Sequence, residues 1–175
     1  MKYCGGTFSG PKTTLCAAEI MVVGYRCTYD GRLPETDRVG VIKQWSACNN
    51  VSEVRMFLEM IGVCRVFIQD FAWLAGPLNN LLRKDVTFKW TKDHDRAMQD
   101  LKDALEDAVP LGNIDYECDN PVVSAVDTSF KAVGYYIYQE GQSIKIKKVF
   151  VKFGSITLND REVRFSQPKR EFGLK

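Results

Sequence analysis

The sequence is poor in the residues from which metal centres and nucleophilic triads are usually built. Its 175 residues contain one histidine, His94, which leaves little material for catalysis by an imidazole-activated nucleophile. The six cysteines (Cys4, Cys16, Cys27, Cys48, Cys64 and Cys118) are scattered and form no Cys-x-x-Cys pair. Structural zinc sites recruit closely spaced pairs, so a zinc site has no support. Secreted disulfide scaffolds are shorter and denser in cysteine, and the expectation here is buried free thiols in a reducing compartment. No apolar run approaches the ~18 residues of a membrane span. The opening Met1-Lys2-Tyr3-Cys4-Gly5-Gly6 lacks the apolar core of a secretory signal. An intracellular location, cytoplasm or nucleus, with no membrane partner is therefore expected. An excess of one charge is missing too: 24 Lys+Arg stand against 22 Asp+Glu, a net charge of +2. That balance permits nucleic-acid binding without the electrostatic footprint of a dedicated binder.

What is present is ordinary globular material. Hydrophobic residues make up 45% and charged residues 26%, enough apolar surface for one domain or two small ones. The stretch Phe8 to Leu33 reads as strand, with Thr13–Ala17 and Ile20–Tyr29 rich in β-branched and aromatic residues. Ser9-Gly10-Pro11 and Asp30-Gly31 supply turns at their ends. From Pro34 to Pro110 the period becomes helical. Thr36 and Asp37 can open a helix carrying Val39, Ile42 and Trp45, and Asn50 with Glu53 resembles a capping box. Val54, Phe57, Leu58, Ile61, Cys64, Ile68 and Phe71 then recur at three- and four-residue steps, predicting one amphipathic helix. Pro77 suits a first turn, Phe88 and Trp90 an extended link, and Thr91 the cap of a helix with an Ala97, Met98, Leu101, Leu105 stripe. After Pro110 the signal returns to strands. Pro121–Val126 is a buried-looking run ending at Asp127, Ala132–Gln139 follows, Glu140-Gly141-Gln142 is a turn, and Ser143–Phe153 alternates apolar residues with lysines. A last helix begins near Pro168.

Two carboxylates stand out in this order of elements. Asp127 closes a strand at the rim of a sheet, and Glu171 falls in the first turn of the last helix. Strand, hairpin, third strand and helix can pack so that both carboxylates meet, and such a pair can hold magnesium and position water for phosphodiester cleavage. The same residues also satisfy ordinary turn and helix-dipole preferences.

Ordered blocks of sequence extend this reading. Phe8-Ser9-Gly10-Pro11-Lys12-Thr13 with Val22-Val23-Gly24-Tyr25-Arg26 resembles the end of a polymerase palm. Val54-Arg55-x-Phe57-Leu58, Arg65-x-Phe67-Ile68-x-x-Phe71-Ala72 and Pro77-Leu78-x-x-Leu81-Leu82-x-Lys84 resemble three further blocks, and Phe88-x-Trp90 with Leu101-Lys102-x-Ala104-Leu105 a fourth. Ala125-Val126-Asp127-Thr128-Ser129 with Val133-Gly134 and Gln139, then Phe153-Gly154-Ser155 through Glu162, and Phe165-Ser166-Gln167-x-Lys169-Arg170-Glu171 complete the series. In shared order they resemble the reverse transcriptase–ribonuclease H polyprotein of gypsy-class long-terminal-repeat retrotransposons.

The resemblance implies an α+β architecture: a palm-end β-hairpin and helical thumb-like region over residues 1–110, then a truncated ribonuclease H-like mixed β-sheet over residues 111–175. It implies RNA-directed DNA polymerisation and RNA/DNA-hybrid hydrolysis in the intact family, with two Mg2+ ions. Asp127 and Glu171 would be catalytic metal ligands, an incomplete set. Lys12, Tyr25 and Arg26 would lie against the backbone of an RNA/DNA hybrid or primer-template, as positioning contacts without sequence preference. Departures mark the chain: Glu59 stands where the family has Gly, Thr128 where it has Ala, and the stretch after Glu171 is one residue short. The family's Tyr-x-Asp-Asp element and its later ribonuclease H aspartates have no counterpart here. The implied protein is a middle slice of the polyprotein, or a decayed copy, inactive on its own. The alternative is a retained non-catalytic module that binds nucleic acid or protein. No two aspartates adjoin anywhere in the sequence, so primer extension on a primed template with dNTPs and magnesium should give no product above background; extension would overturn this reading.

Overall fold

A computed structural model describes residues 9–129, 131–143, 146–159 and 161–165. It opens on a three-stranded antiparallel sheet, β1 (Ile20–Val22), β2 (Tyr25–Thr28) and β3 (Gly31–Pro34), in sequential order. The run Ile20–Tyr29, expected as one strand, is a hairpin. Val22 pairs with Tyr25, and the chain reverses through Val23 and Gly24 at φ 51° and 79°. Two successive left-handed residues make the tight turn whose twist suits a hairpin. The sequence hid it because a β-branched residue rarely adopts positive φ. Thr13–Ala17 forms no strand.

The helices follow. α1 (Thr36–Lys43) leads to α2 (Val51–Gly62), where the expected cap is present. The Asn50 Oδ1 accepts from the Glu53 amide at 2.9 Å, and Glu53 Oε2 accepts from the Asn49 amide at 2.7 Å. Val54, Phe57 and Ile61 are buried along one face of α2. The helix expected to run on to Phe71 stops at Gly62. A 3-10 turn at Arg65–Phe67 then keeps Cys64, Phe67 and Ile68 in the core. Three- and four-residue apolar spacing is preserved through such a bend, so periodicity alone does not reveal it. After left-handed Asp70 come α3 (Phe71–Leu74) and α4 (Gly76–Asn80), with Pro77 in the first turn of α4 as expected. Phe88 and Trp90, expected in an extended link, lie in a segment without regular structure, and their rings lie 6.5 Å apart.

The long helix α5 (Lys92–Glu106) buries Ala97, Met98, Leu101 and Leu105. His94 completes its capping box: His94 Nδ1 accepts from the Thr91 amide at 3.0 Å. Buried Lys102 donates from Nζ to the Trp45 carbonyl at 2.5 Å, which fastens α5 to the loop after α1. Desolvation pushes its pKa below the ordinary lysine value.

β4 (Val122–Thr128), β5 (Ala132–Ser143) and β6 (Ile146–Thr157) form a second antiparallel sheet in sequential order. Every described strand pair is antiparallel, where a mixed sheet was expected. The turn placed at Glu140–Gln142 is strand, because β5 continues to Ser143; residues 144–145 lie outside the described residues. β4 is less buried than its apolar run suggests, with Val122 47% and Val126 45% exposed. Its outer edge carries no other strand among the described residues.

Phe153 of β6 is buried in the same core as the α2 and α5 side chains. The segment at Leu111 and Gly112 ties the two sheets. Arg32 and Leu111 exchange amide-to-carbonyl hydrogen bonds at 2.8 and 2.9 Å, and the Gly112 amide donates to the Phe150 carbonyl at 2.7 Å. Gly31, at φ 133°, must be glycine here, since a Cβ would lie 2.4 Å from the Leu111 oxygen.

Buried Gln139 pins the next stretch of chain. Its Oε1 accepts from the Asp115 amide at 2.9 Å, and its Nε2 donates to the carbonyls of Asp115 at 2.9 Å and Asn120 at 3.2 Å. Gln139→Leu strips all three part-buried contacts, and a lost hydrogen bond of this kind costs about 0.5–1.5 kcal/mol. Urea unfolding should show that loss. An unchanged midpoint would mean that the amide does not hold this segment.

Candidate metal and nucleic-acid site

The geometry begins with strand register. Asp127 of β4 pairs with Gly134 of β5, and Gly134 pairs with Ser155 of β6. Residues directly opposite in an antiparallel sheet present their side chains to the same face. Asp127, the missing side chain of Gly134, and Ser155 therefore form one row across the sheet. The start of α3 lies over this row. The Ala72 amide donates to Ser155 Oγ at 2.7 Å, and Asp70 Oδ1 sits 2.1 Å from where a Gly134 Cβ would stand. Asp70 thus fills the place of the absent side chain, beside exposed Asp127.

The backbone explains why an aspartate can stand there. Asp70 is the residue before α3 and takes φ 54°, a conformation that short polar side chains such as Asp and Asn tolerate better than most. Its carboxyl is held above the usual carboxylate range, first by desolvation and then by the negative charge of Asp127. Sequence reading missed Asp70, which fell inside the helix expected to run on to Phe71; left-handed backbone leaves no periodic trace. Among the described residues no group of three His, Cys, Asp or Glu side chains comes together to hold a metal.

The remaining expected residues are distributed otherwise. Glu171 lies outside the described residues, so its meeting with Asp127 is not part of this geometry. Lys12 ends a 3-10 turn at Gly10–Lys12. Tyr25 and Arg26 are neighbours on β2 and alternate in direction. The Tyr25 ring packs edge-on against Phe67 at 5.7 Å between centroids. Arg26 reaches Glu19 at 3.4 Å. Tyr25 therefore helps to anchor the small sheet on the helices, while half-buried Arg26 turns its guanidinium to Glu19. Of the cysteines, Cys48 and Cys64 are buried free thiols with pKa values raised by desolvation, as expected, while Cys16 is free and exposed. A cleft of about 770 Å3 opens beside α3, with Trp73, Arg83, His94, Arg96 and Lys131 among its lining.

Comparison with known proteins agrees with this architecture. Residues 90–173 match the RNase H-like domain found in reverse transcriptase. The chain is 28% identical over 154 residues to the Transposon Tf2-3 polyprotein of Schizosaccharomyces pombe, covering 88% of this chain and 11% of that polyprotein. The Tf2-4 polyprotein of the same organism matches equally. The chain thus spans about a tenth of the length of the curated relatives it matches. Among solved structures, a foamy viral protease–reverse transcriptase in complex with RNA/DNA hybrid superposes with TM-score 0.76 at 22% identity, covering 93% of this chain and 22% of that one. A second, in complex with dsDNA, gives 0.74 at 22% identity, covering 91% and 33%. No described helix is long and apolar enough to cross a membrane. The resemblance read from the ordered sequence blocks is borne out: this α+β chain is similar, over most of its length, to a reverse transcriptase–RNase H segment of gypsy-class retrotransposon polyproteins.

Proposed function

We propose that the chain works as a segment of a reverse transcriptase–ribonuclease H enzyme, gripping an RNA/DNA hybrid or primer-template and presenting Asp127 as one ligand of a Mg2+ site. The observation that carries the reading is the position of Asp127. It stands exposed near the end of β4, in a row with Gly134 and Ser155, inside the stretch matched to the RNase H-like domain. A hard divalent cation prefers carboxylate oxygens, and exposed Asp127 would offer one such ligand, with the others to come from outside the described residues. Bound Mg2+ would supply Lewis-acid stabilisation of charge at a phosphodiester. Glu171 is the second ligand of this reading. Lys12, Tyr25 and Arg26, from the small sheet and the turn before it, steady the nucleic-acid backbone, and the working boundary between gripping and cutting parts falls near residue 110.

The chain alone is catalytically silent in this reading, because two-metal cleavage needs further carboxylates to clamp both the attacking and the leaving oxygen. A labelled RNA/DNA hybrid incubated with the purified chain should bind at low salt and release as salt rises. Arg26→Gln should weaken binding and flatten the salt slope by about one phosphate contact. No magnesium-dependent cleavage should appear. Cleavage that vanishes in Asp127→Asn would overturn the inactivity, and binding indifferent to salt would overturn the backbone grip.

A further inference from the structure

We propose that the cleft beside α3 binds an unpaired nucleotide of a single strand, with the base against Trp73 and the flanking phosphates on Arg83 and Arg96. The proposal rests on the reading of the chain as a nucleic-acid-gripping segment and gives that grip a second place, for a single strand rather than a duplex.

The cleft is assembled from parts far apart in sequence. Its lining includes buried Ala72 of α3, Ala97 of α5 and Leu158 just past β6. The Leu158 amide donates to the Lys131 carbonyl at 2.9 Å, which fixes the β4–β5 turn against the end of β6. Trp73 also lines the cleft, yet 43% of it is exposed, and Lys131 Nζ lies 5.6 Å from its ring centroid. That cation–π contact steadies the indole. Arg83, just after α4, and Arg96 on α5 are exposed along the same lining. Asp93 and Asp100 stand three and four residues from Arg96, a spacing that commonly gives ion pairs. Neither arginine joins an ion pair among the described residues, so both guanidiniums can turn to phosphate oxygens.

Size and charge select the occupant. A volume of about 770 Å3 falls in the range of pockets that enclose a small molecule, roughly 300–1,000 Å3. It admits one base with its sugar and phosphate and shuts out a double helix. In a duplex the base faces are buried in the stack, and an unpaired nucleotide offers one to an aromatic side chain. Arg83, Arg96 and Lys131 face Asp93 and Asp100 across the lining, a small positive excess. Charge alone therefore holds a polyanion weakly here, and stacking on Trp73 supplies the rest.

Fluorescence anisotropy of labelled oligo(dT), titrated with the whole chain beside a blunt RNA/DNA hybrid, tests this. Trp73→Leu should weaken oligo(dT) by about fivefold or more, the loss of one stacked base, and leave the salt slope unchanged. Arg83→Gln and Arg96→Gln should each flatten that slope by about 0.7, one phosphate contact on a single strand. Oligo(dT) should quench tryptophan fluorescence of the unaltered chain, and less so in Trp73→Leu. All three variants should hold the blunt hybrid as the unaltered chain does, whereas Arg26→Gln should weaken the hybrid and spare oligo(dT). Circular dichroism should report the same fold in all four. If the cleft variants leave oligo(dT) unchanged, or weaken the hybrid equally, the single-strand site is overturned. If thymidine monophosphate displaces oligo(dT) at equal nucleotide concentration, the cleft serves free nucleotides and the proposal is likewise overturned. If Arg26→Gln leaves hybrid affinity unchanged while the cleft variants lose oligo(dT), the duplex grip falls and the cleft stands.

Discussion

Two backbone hydrogen bonds between Arg32 and Leu111 decide how the parts of this chain face one another. The small sheet has only three short strands, too little to stand alone in water. It is held from one side by Leu111 and from the other by Tyr25 against Phe67. Because Gly112 goes on to bond Phe150, the same few residues place β3 and β6 at fixed separation. Backbone groups buried at such a junction must be paired, which makes its geometry specific in a way that apolar contact alone is not.

The interior follows the same logic. Phe57, Ile61, Leu101 and Leu105 supply non-directional burial, and Phe153 extends that core to the sheet. Direction comes from polar side chains that reach backbone: Lys102 to the Trp45 carbonyl, Gln139 to Asp115 and Asn120, Ser155 to the Ala72 amide. Each spans segments distant in sequence. Each also turns a polar group that would be costly when buried into a registration point.

What the sequence disclosed followed the range of the interactions involved. Local chemistry was legible. Asn50 and Glu53 cap α2, Pro77 opens α4, and Thr91 begins α5 because those signals act within three or four residues. The break after Gly62 was not legible, since burial of Cys64, Phe67 and Ile68 preserves the helical spacing through the bend. The Val23–Gly24 reversal was masked by a residue type that favours strands. At the site, Asp127 was readable as a strand-end carboxylate, whereas Asp70 reaches it from 57 positions earlier through tertiary packing, and no pattern in one sequence encodes that.

The space over Gly134 couples positions 70 and 134. A methyl group at 134 competes for volume with the carboxylate at 70, so the effect of changing either residue depends on what occupies the other. The constraint runs one way: glycine at 134 admits any side chain at 70, whereas a larger residue at 134 excludes the carboxylate at 70 from its present place.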